Sequence, residues 1–242
     1  MKFAIAKEHR DFFNKHGGVE FDNFLTPEQV NQFNSAIDLA LSQRLDVEVE
    51  KLRKVNSEQL FINGRDLWRL NTDLRKLVSQ PRLAEIASEL IESKPLRLGY
   101  DQLFPARHSA NWSNTTANQV YSNFLLQSTS LEQISCLQGV LCGVMLCLSS
   151  PSQTQLENIE EEEGLDIFPS QAGNALFFQP TALFNLRKLL RHSEQRYYLV
   201  VYTQTQANYI FQSGDPLTHE LKHLGYVLND KLTDKLNPII YR

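Results

Sequence analysis

The segment Val140–Leu148 (VLCGVMLCL) contains no polar side chain and is bounded by turn residues, so it has no face to offer to water. A strand of this kind must lie centrally in a sheet and be covered on both sides. Asn174–Gln179 and Tyr197–Thr203 read as further strands, Asn208–Gln212 as a short one beyond them, and Leu96–Phe104 as the first strand of the same sheet. Helical signals come earlier. Thr26-Pro-Glu-Gln29 combines an N-cap threonine, a proline at the first helical position and a glutamine placed to complete a capping box. Val30, Phe33, Ile37 and Leu41 then form one apolar stripe, with Gly17–Leu25 as a short strand leading into it. A second helix follows Pro81, with Leu83, Ile86, Ala87, Leu90 and Ile91 at helical spacing, and stops at Ser93-Lys-Pro95. Helices early and strands late predict an α+β fold, with the helices packed on one side of a barrel-like sheet sandwich. One domain is expected, with residues 1–95 mainly helical, 96–212 forming the sandwich and 213–242 a C-terminal helical extension. Phe177, Leu199 and Val201 are expected to share one core with Val144 and Leu146.

At 242 residues and 42% hydrophobic content the chain can bury a sizeable core. Its formal net charge of −4 argues against a general binder of nucleic acid, leaving only a local basic patch at Arg187, Lys188 and Arg191. Cys136, Cys142 and Cys147 lie in or beside an apolar run and read as buried thiols in a reducing, cytoplasmic setting. The N-terminal Met1–Lys7 is too short an apolar run for a signal peptide, and no segment approaches the length of a membrane span. Ser109–Ser130, rich in Asn, Ser, Thr and Gln around Trp112 and Tyr121, reads as a long loop of functional type. The acidic run Glu157–Glu163 reads as a solvated loop, with cation binding as the alternative.

The stretch Gly173–Phe184 (GNALFFQPTALF), followed by Arg196–Thr203 (RYYLVVYT), sets a glycine turn, an apolar strand, a proline and then an arginine opening a second strand. Together with Phe12-Phe13, the Gly17-Gly18 pair, the Thr26 cap, Gln80–Ala87 and Phe168-Pro-Ser170 in that order, it resembles the phytanoyl-CoA-hydroxylase-like branch of the iron(II)/2-oxoglutarate dioxygenases. The resemblance runs from about Phe12 to Tyr202 and implies a double-stranded β-helix of the jelly-roll or cupin type. It also implies a facial triad of two histidines and a carboxylate on iron. Phe184 stands where the family has its distal histidine, Asn174 where it has an aspartate, and Leu131–Gln138 offers only Glu132 where the family has His-x-Asp. Arg196 matches the arginine that holds the 2-oxoglutarate carboxylate in the family, and Gln102 lies on a strand that often carries a polar cosubstrate contact. On this resemblance the chain is a non-catalytic or divergent member that binds a small ligand, 2-oxoglutarate or a similar diacid, with no cofactor at the usual iron site.

Two alternatives stand beside it. An active oxygenase would need nonstandard iron ligands from His108 or the Ser109–Ser130 loop. His192-Ser-Glu194 and His9-Arg-Asp11 have the literal spacing but lie in the wrong parts of the chain. The second alternative is a zinc hydrolase, because His219-Glu-Leu-Lys-His223 fits His-Glu-x-x-His, in which two histidines one helical turn apart bind zinc and the glutamate activates water. Asp215-Pro216 and Thr218 supply a start for that helix.

Overall fold

The computed structural model describes residues 5–106, 124, 128–150, 168–186 and 195–242. Among these residues five α-helices precede the main strands: α1 Lys7–His16, α2 Pro27–Leu45, α3 Ser57–Ile62, α4 Thr72–Val78 and α5 Pro81–Ile91. The strands are β1 Gly18–Phe21, β2 Leu96–Phe104, β3 Ser128–Thr129, β4 Leu137–Cys147, β5 Ala175–Phe178, β6 Phe184–Asn185, β7 Tyr197–Tyr209 and β8 Ile239–Tyr241. Six form one sheet in the order β1-β5-β4-β7-β2-β8, every neighbouring pair antiparallel, while β3 and β6 pair as a separate ribbon. The apolar strand β4 is indeed internal, flanked by β5 and β7.

The helix signals read from the sequence act as expected. Thr26 accepts a hydrogen bond from the Gln29 amide while Gln29 Oε1 accepts one from the Thr26 amide, closing the capping box at α2. Its stripe Val30, Phe33, Ile37 and Leu41 is buried, and so are Leu83, Ile86, Ala87 and Leu90 of α5. Helix α1, the short helices α3 and α4, and the 3-10 turns Val49–Lys54 and Leu67–Arg69 carry weaker sequence signals and add to the helical layer.

Two apolar cores lie on opposite faces of the large sheet. One joins the helices to Val144 and Leu146 of β4, Phe177 of β5, and Tyr198, Val200 and Tyr202 of β7. The other holds Met145, Leu176, Phe178, Tyr197, Leu199 and Val201, and extends to Leu131 and Leu186 beside the ribbon and to Leu217, Leu221, Tyr226 and Leu232 of the C-terminal segment. The expectation of a single core is thereby corrected. Register pairs Met145 with Leu199 and Val144 with Val200, so alternation sends Leu199 and Val201 away from the side taken by Val144, Leu146 and Phe177. In β2 a bulge at Gly99 interrupts that alternation, letting Leu98 face the helices and Tyr100 the second core.

The C-terminal segment also departs from expectation. Residues 213–242 contain a 3-10 turn, Glu220–Leu224, and strand β8 instead of an α-helical extension. Its buried Asn237 donates from Nδ2 to the carbonyls of Leu98 and Gly99 at 3.1 and 2.6 Å, satisfying the bulge, and accepts at Oδ1 from the Tyr226 hydroxyl at 3.0 Å. The described residues contain no helix long and apolar enough to cross a membrane.

Leu199 is 2% exposed in the second core. Truncation by Leu199→Ala should therefore cost about 2–5 kcal/mol. An unchanged denaturation midpoint would contradict this placement.

Candidate functional site

The polar centre of the second core is built from three distant parts of the chain. The segment Gly64–Asp66 runs antiparallel beside β2, with the Leu103 amide donating to Gly64 O at 2.9 Å and the Asp66 amide to Asp101 O at 3.0 Å. That short pairing aims the Arg65 side chain inward. Its Nη1 and Nη2 donate to Asp215 Oδ2 and Oδ1 at 3.2 and 3.0 Å, with side-chain exposures of 6% and 0%. Asp215 also accepts from the amides of Cys136 at 3.0 Å and Leu217 at 2.9 Å. The guanidinium lies 4.1 Å from the centroid of the Tyr100 ring, and its Nε donates to Gln102 Oε1 at 2.8 Å. Burial, the largest single influence, works against the Arg65 charge, but the facing Asp215 carboxylate with the neighbouring Tyr100 and Cys136 together outweigh it, and the net displacement of its pKa is upward. Burial pushes the neighbouring Cys136 thiol up, and the Cys142 and Cys147 thiols up to about 12, so all three are protonated, unreactive and unpaired.

An aromatic cluster surrounds Phe184, the residue that the resemblance sets at the distal-histidine position. Phe184 of β6 pairs with Thr129 of β3 and meets Phe168 and Phe178 at centroid distances of 5.8 and 5.5 Å, both edge-on, while Phe168 also meets Tyr197 at 6.1 Å. An apolar notch beside them, lined by Gly18, Leu176, Phe178 and Phe184, encloses about 20 Å³, room for roughly one water. Glu132 is exposed, its backbone held by Pro180 and Gln212. Rings and a threonine hydroxyl do not offer the imidazole and carboxylate donors that iron(II) requires, so the described residues at this place do not fit the metal. The Gly173-Asn174 turn serves the fold instead. Gly173 has φ 94°, and a Cβ there would lie 2.7 Å from the Leu25 carbonyl oxygen. Asn174 ties the turn after β1, donating to Glu20 Oε1 and Asp22 Oδ1 at 2.8 and 2.7 Å and accepting from the Asn23 amide.

Arg196 and Gln102 are not brought together. Arg196 turns to the helical side of the sheet, donating to Asp38 Oδ1 at 2.7 Å and Asn34 Oδ1 at 3.0 Å on α2, at the edge of an open cleft of about 500 Å³. Residue parity is the reason, since Arg196 shares a face with Tyr198 and Val200. Gln102 faces the opposite core, and its amide donors are taken by Phe61 O and Leu103 O. The His219–His223 pair is also dispersed. A 3-10 turn replaces the helix the motif needs, and at three residues per turn positions four apart diverge by about 120°. Both side chains are exposed, with His219 against Phe211 at 5.7 Å. Among the described residues no group of three His, Cys, Asp or Glu side chains is placed to hold a metal ion. His108, His192, the basic residues Arg187, Lys188 and Arg191, the acidic run and most of the Ser109–Ser130 loop lie outside the described residues.

Arg65, Asp215 and Asp101 escape motif reading. The nearest signal for Arg65 is Asn63-Gly64, a turn pair set between the apolar Leu60–Ile62 and Leu67-Trp68, which places the charge that follows between two buried stretches. Asp101 is fully buried on the helical side of β2, where its two oxygens accept from the amides of Leu67 at 2.8 Å and Trp68 at 3.0 Å. It thus pins the 3-10 turn Leu67–Arg69 to the sheet. Burial, then the nearby Asp66 charge, raise its pKa to about 7 against the pull of those amides and of Tyr198.

Comparison with known proteins bears on the fold. No family model matches the chain, and no curated protein matches it. Among solved structures, the non-heme alpha-ketoglutarate-dependent carbocyclase SnoK from nogalamycin biosynthesis superposes with a TM-score of 0.61 at 16% identity, covering 97% of this chain and 96% of that one. The non-heme alpha-ketoglutarate-dependent epimerase SnoN, from the same biosynthesis, gives a TM-score of 0.61 at 16% identity over 98% of this chain and 96% of that one. CytC3 gives 0.55 at 13% identity over 91% and 87%. The chain therefore has the fold of these proteins over nearly its whole length.

The Asp101 carboxyl sets a pH dependence. Because its folded pKa is raised from 3.8 to about 7, the folded state holds the proton more tightly, and the contribution to stability is full below about pH 4 and declines as pH rises towards 7. Relative to wild type, Asp101→Asn should gain stability over that window, by on the order of 4 kcal/mol at most. Urea midpoints at pH 4.5 and 7.5 read this out. A wild-type-to-variant difference independent of pH would contradict it.

Proposed function

We propose that this protein is a divergent relative of the phytanoyl-CoA-hydroxylase-like dioxygenases, with a double-stranded β-helix in which aromatic packing has taken over the metal position. The observation that carries the reading is the Phe168–Phe178–Phe184 cluster beside the β3–β6 ribbon. SnoN in complex with Fe3+ and alpha ketoglutarate, and CytC3 with Fe(II) and alpha-ketoglutarate, have TM-scores of 0.58 and 0.52 to this chain, which supports descent from a fold that holds both. In this chain the Phe168–Phe178–Phe184 cluster offers hydrocarbon to whatever enters it.

Function on this reading is binding rather than oxidation. Any small diacid engaging Arg196 would do so in the open cleft on the helical side and in competition with Asp38. Three free, buried thiols suit a reducing setting such as the cytoplasm.

Anaerobic addition of iron(II) and 2-oxoglutarate to the purified protein is expected to give no metal-to-ligand charge-transfer absorption, and exposure to oxygen no succinate. Either signal at stoichiometric level would overturn the reading and direct attention to His108.

A further inference from the structure

The Asp215 carboxylate receives four N–H donors, two from the Arg65 guanidinium and one each from the amides of Cys136 and Leu217, at 2.9–3.2 Å. That is how a protein holds a free carboxylate ligand: a bidentate fork plus backbone amides in a site closed to water. Most of the receiving half is arranged without Asp215. Gln102 Oε1 fixes Arg65 Nε, the Tyr100 ring supports the guanidinium from its face, and Gln102 itself is anchored by donating to the carbonyls of Phe61 and Leu103. The carboxylate arrives from the C-terminal segment together with the Leu217 amide, 150 positions further along the chain than Arg65.

We infer that Arg65, Gln102, Tyr100 and the Cys136 amide form a carboxylate-binding pocket in the sheet's second core, and that Asp215 is its resident ligand, supplied in cis by the C-terminal segment. Free carboxylates are thereby excluded from Arg65 in the folded protein. Were Asp215 removed, the same donors would face a cavity of carboxylate size, and a desolvated guanidinium there would demand an anion. Small monocarboxylates are the class that fits, formate matching the group lost on truncation to alanine and acetate the larger space left by glycine. The inference does not depend on the iron question, since it concerns only this pocket.

The test is chemical rescue of Asp215→Ala and Asp215→Gly, refolded and melted in sodium formate, sodium acetate or sodium chloride at equal ionic strength. Formate should restore the melting midpoint of the alanine variant, and acetate that of the glycine variant, while chloride does neither. Above the dissociation constant, each tenfold rise in carboxylate should lift the midpoint by roughly 3–6 °C. Wild type should show no such rise. The double variant Arg65→Met/Asp215→Leu, which replaces the pair by apolar groups, should likewise not respond. If a single variant does not fold in chloride, recovery of the native circular dichroism spectrum in its matching carboxylate supports the inference. Variants that stay unfolded in every salt would overturn it, as would equal responses to carboxylate and chloride or the same carboxylate response in the double variant. A carboxylate response with concurrent 2-oxoglutarate turnover by wild type would leave this inference standing while the functional reading failed.

Discussion

Removing a guanidinium and a carboxylate from water costs several kcal/mol for each ion, and the cost is offset only when geometry and supporting hydrogen bonds are good. Arg65 and Asp215 meet that condition, and in meeting it they join parts of the molecule that sequence keeps far apart. The segment beside β2 supplies the cation, the C-terminal segment the anion, the turn before β4 an amide, and β2 the ring and the side-chain amide that orient the fork. Among the described residues neither charge has another counterion. If the C-terminal segment left, it would strand Arg65 and also uncover Leu217, Leu221 and Tyr226, and release the Asn237 contacts that satisfy the β2 bulge.

The same face of the sheet carries the aromatic cluster on which the proposed function rests. Function resides in a site placed on a fold, and a fold shared with alpha-ketoglutarate-dependent enzymes does not carry their reaction with it. Where β3 meets β6, edge-on rings pack at 5.5–5.8 Å. Such contacts contribute through burial and ring geometry, which favours a closed core over an open ligand position. On the opposite face, Arg196 is drawn to Asp38 of α2 and strengthens the union of helices and sheet, since an arginine between a carboxylate and an amide oxygen is well satisfied where it stands.

Local signals made much of the framework legible. The Thr26 cap, the stripe of α2, the start and stop of α5 and the two-sided apolar character of β4 each depend on neighbours within a turn or two, and each appears in the structure where the sequence puts it. Facing is harder to read, because β4, β5 and the first half of β7 are apolar at almost every position and alternation leaves no mark on such stretches; hence the mistaken union of Leu199 with Val144. The His219–His223 motif fails for a related reason. Spacing implies proximity only in an α-helix, and the chain there winds as a 3-10 turn. Arg65 and Asp215 were beyond sequence reading altogether, since their pairing is a product of sheet order and chain return rather than of any local pattern.

If the Arg65–Asp215 contact makes the C-terminal segment part of the same cooperative unit as the sheet, its amides should open only when the whole protein unfolds. Native-state hydrogen exchange at the Leu217 and Cys136 amides, both donors to Asp215, tests this most directly. The account predicts that both exchange with the free energy and denaturant dependence of global unfolding, together with the central residues of β4 and β7. Exchange of Leu217 through a smaller, local opening while β4 stays protected would contradict it.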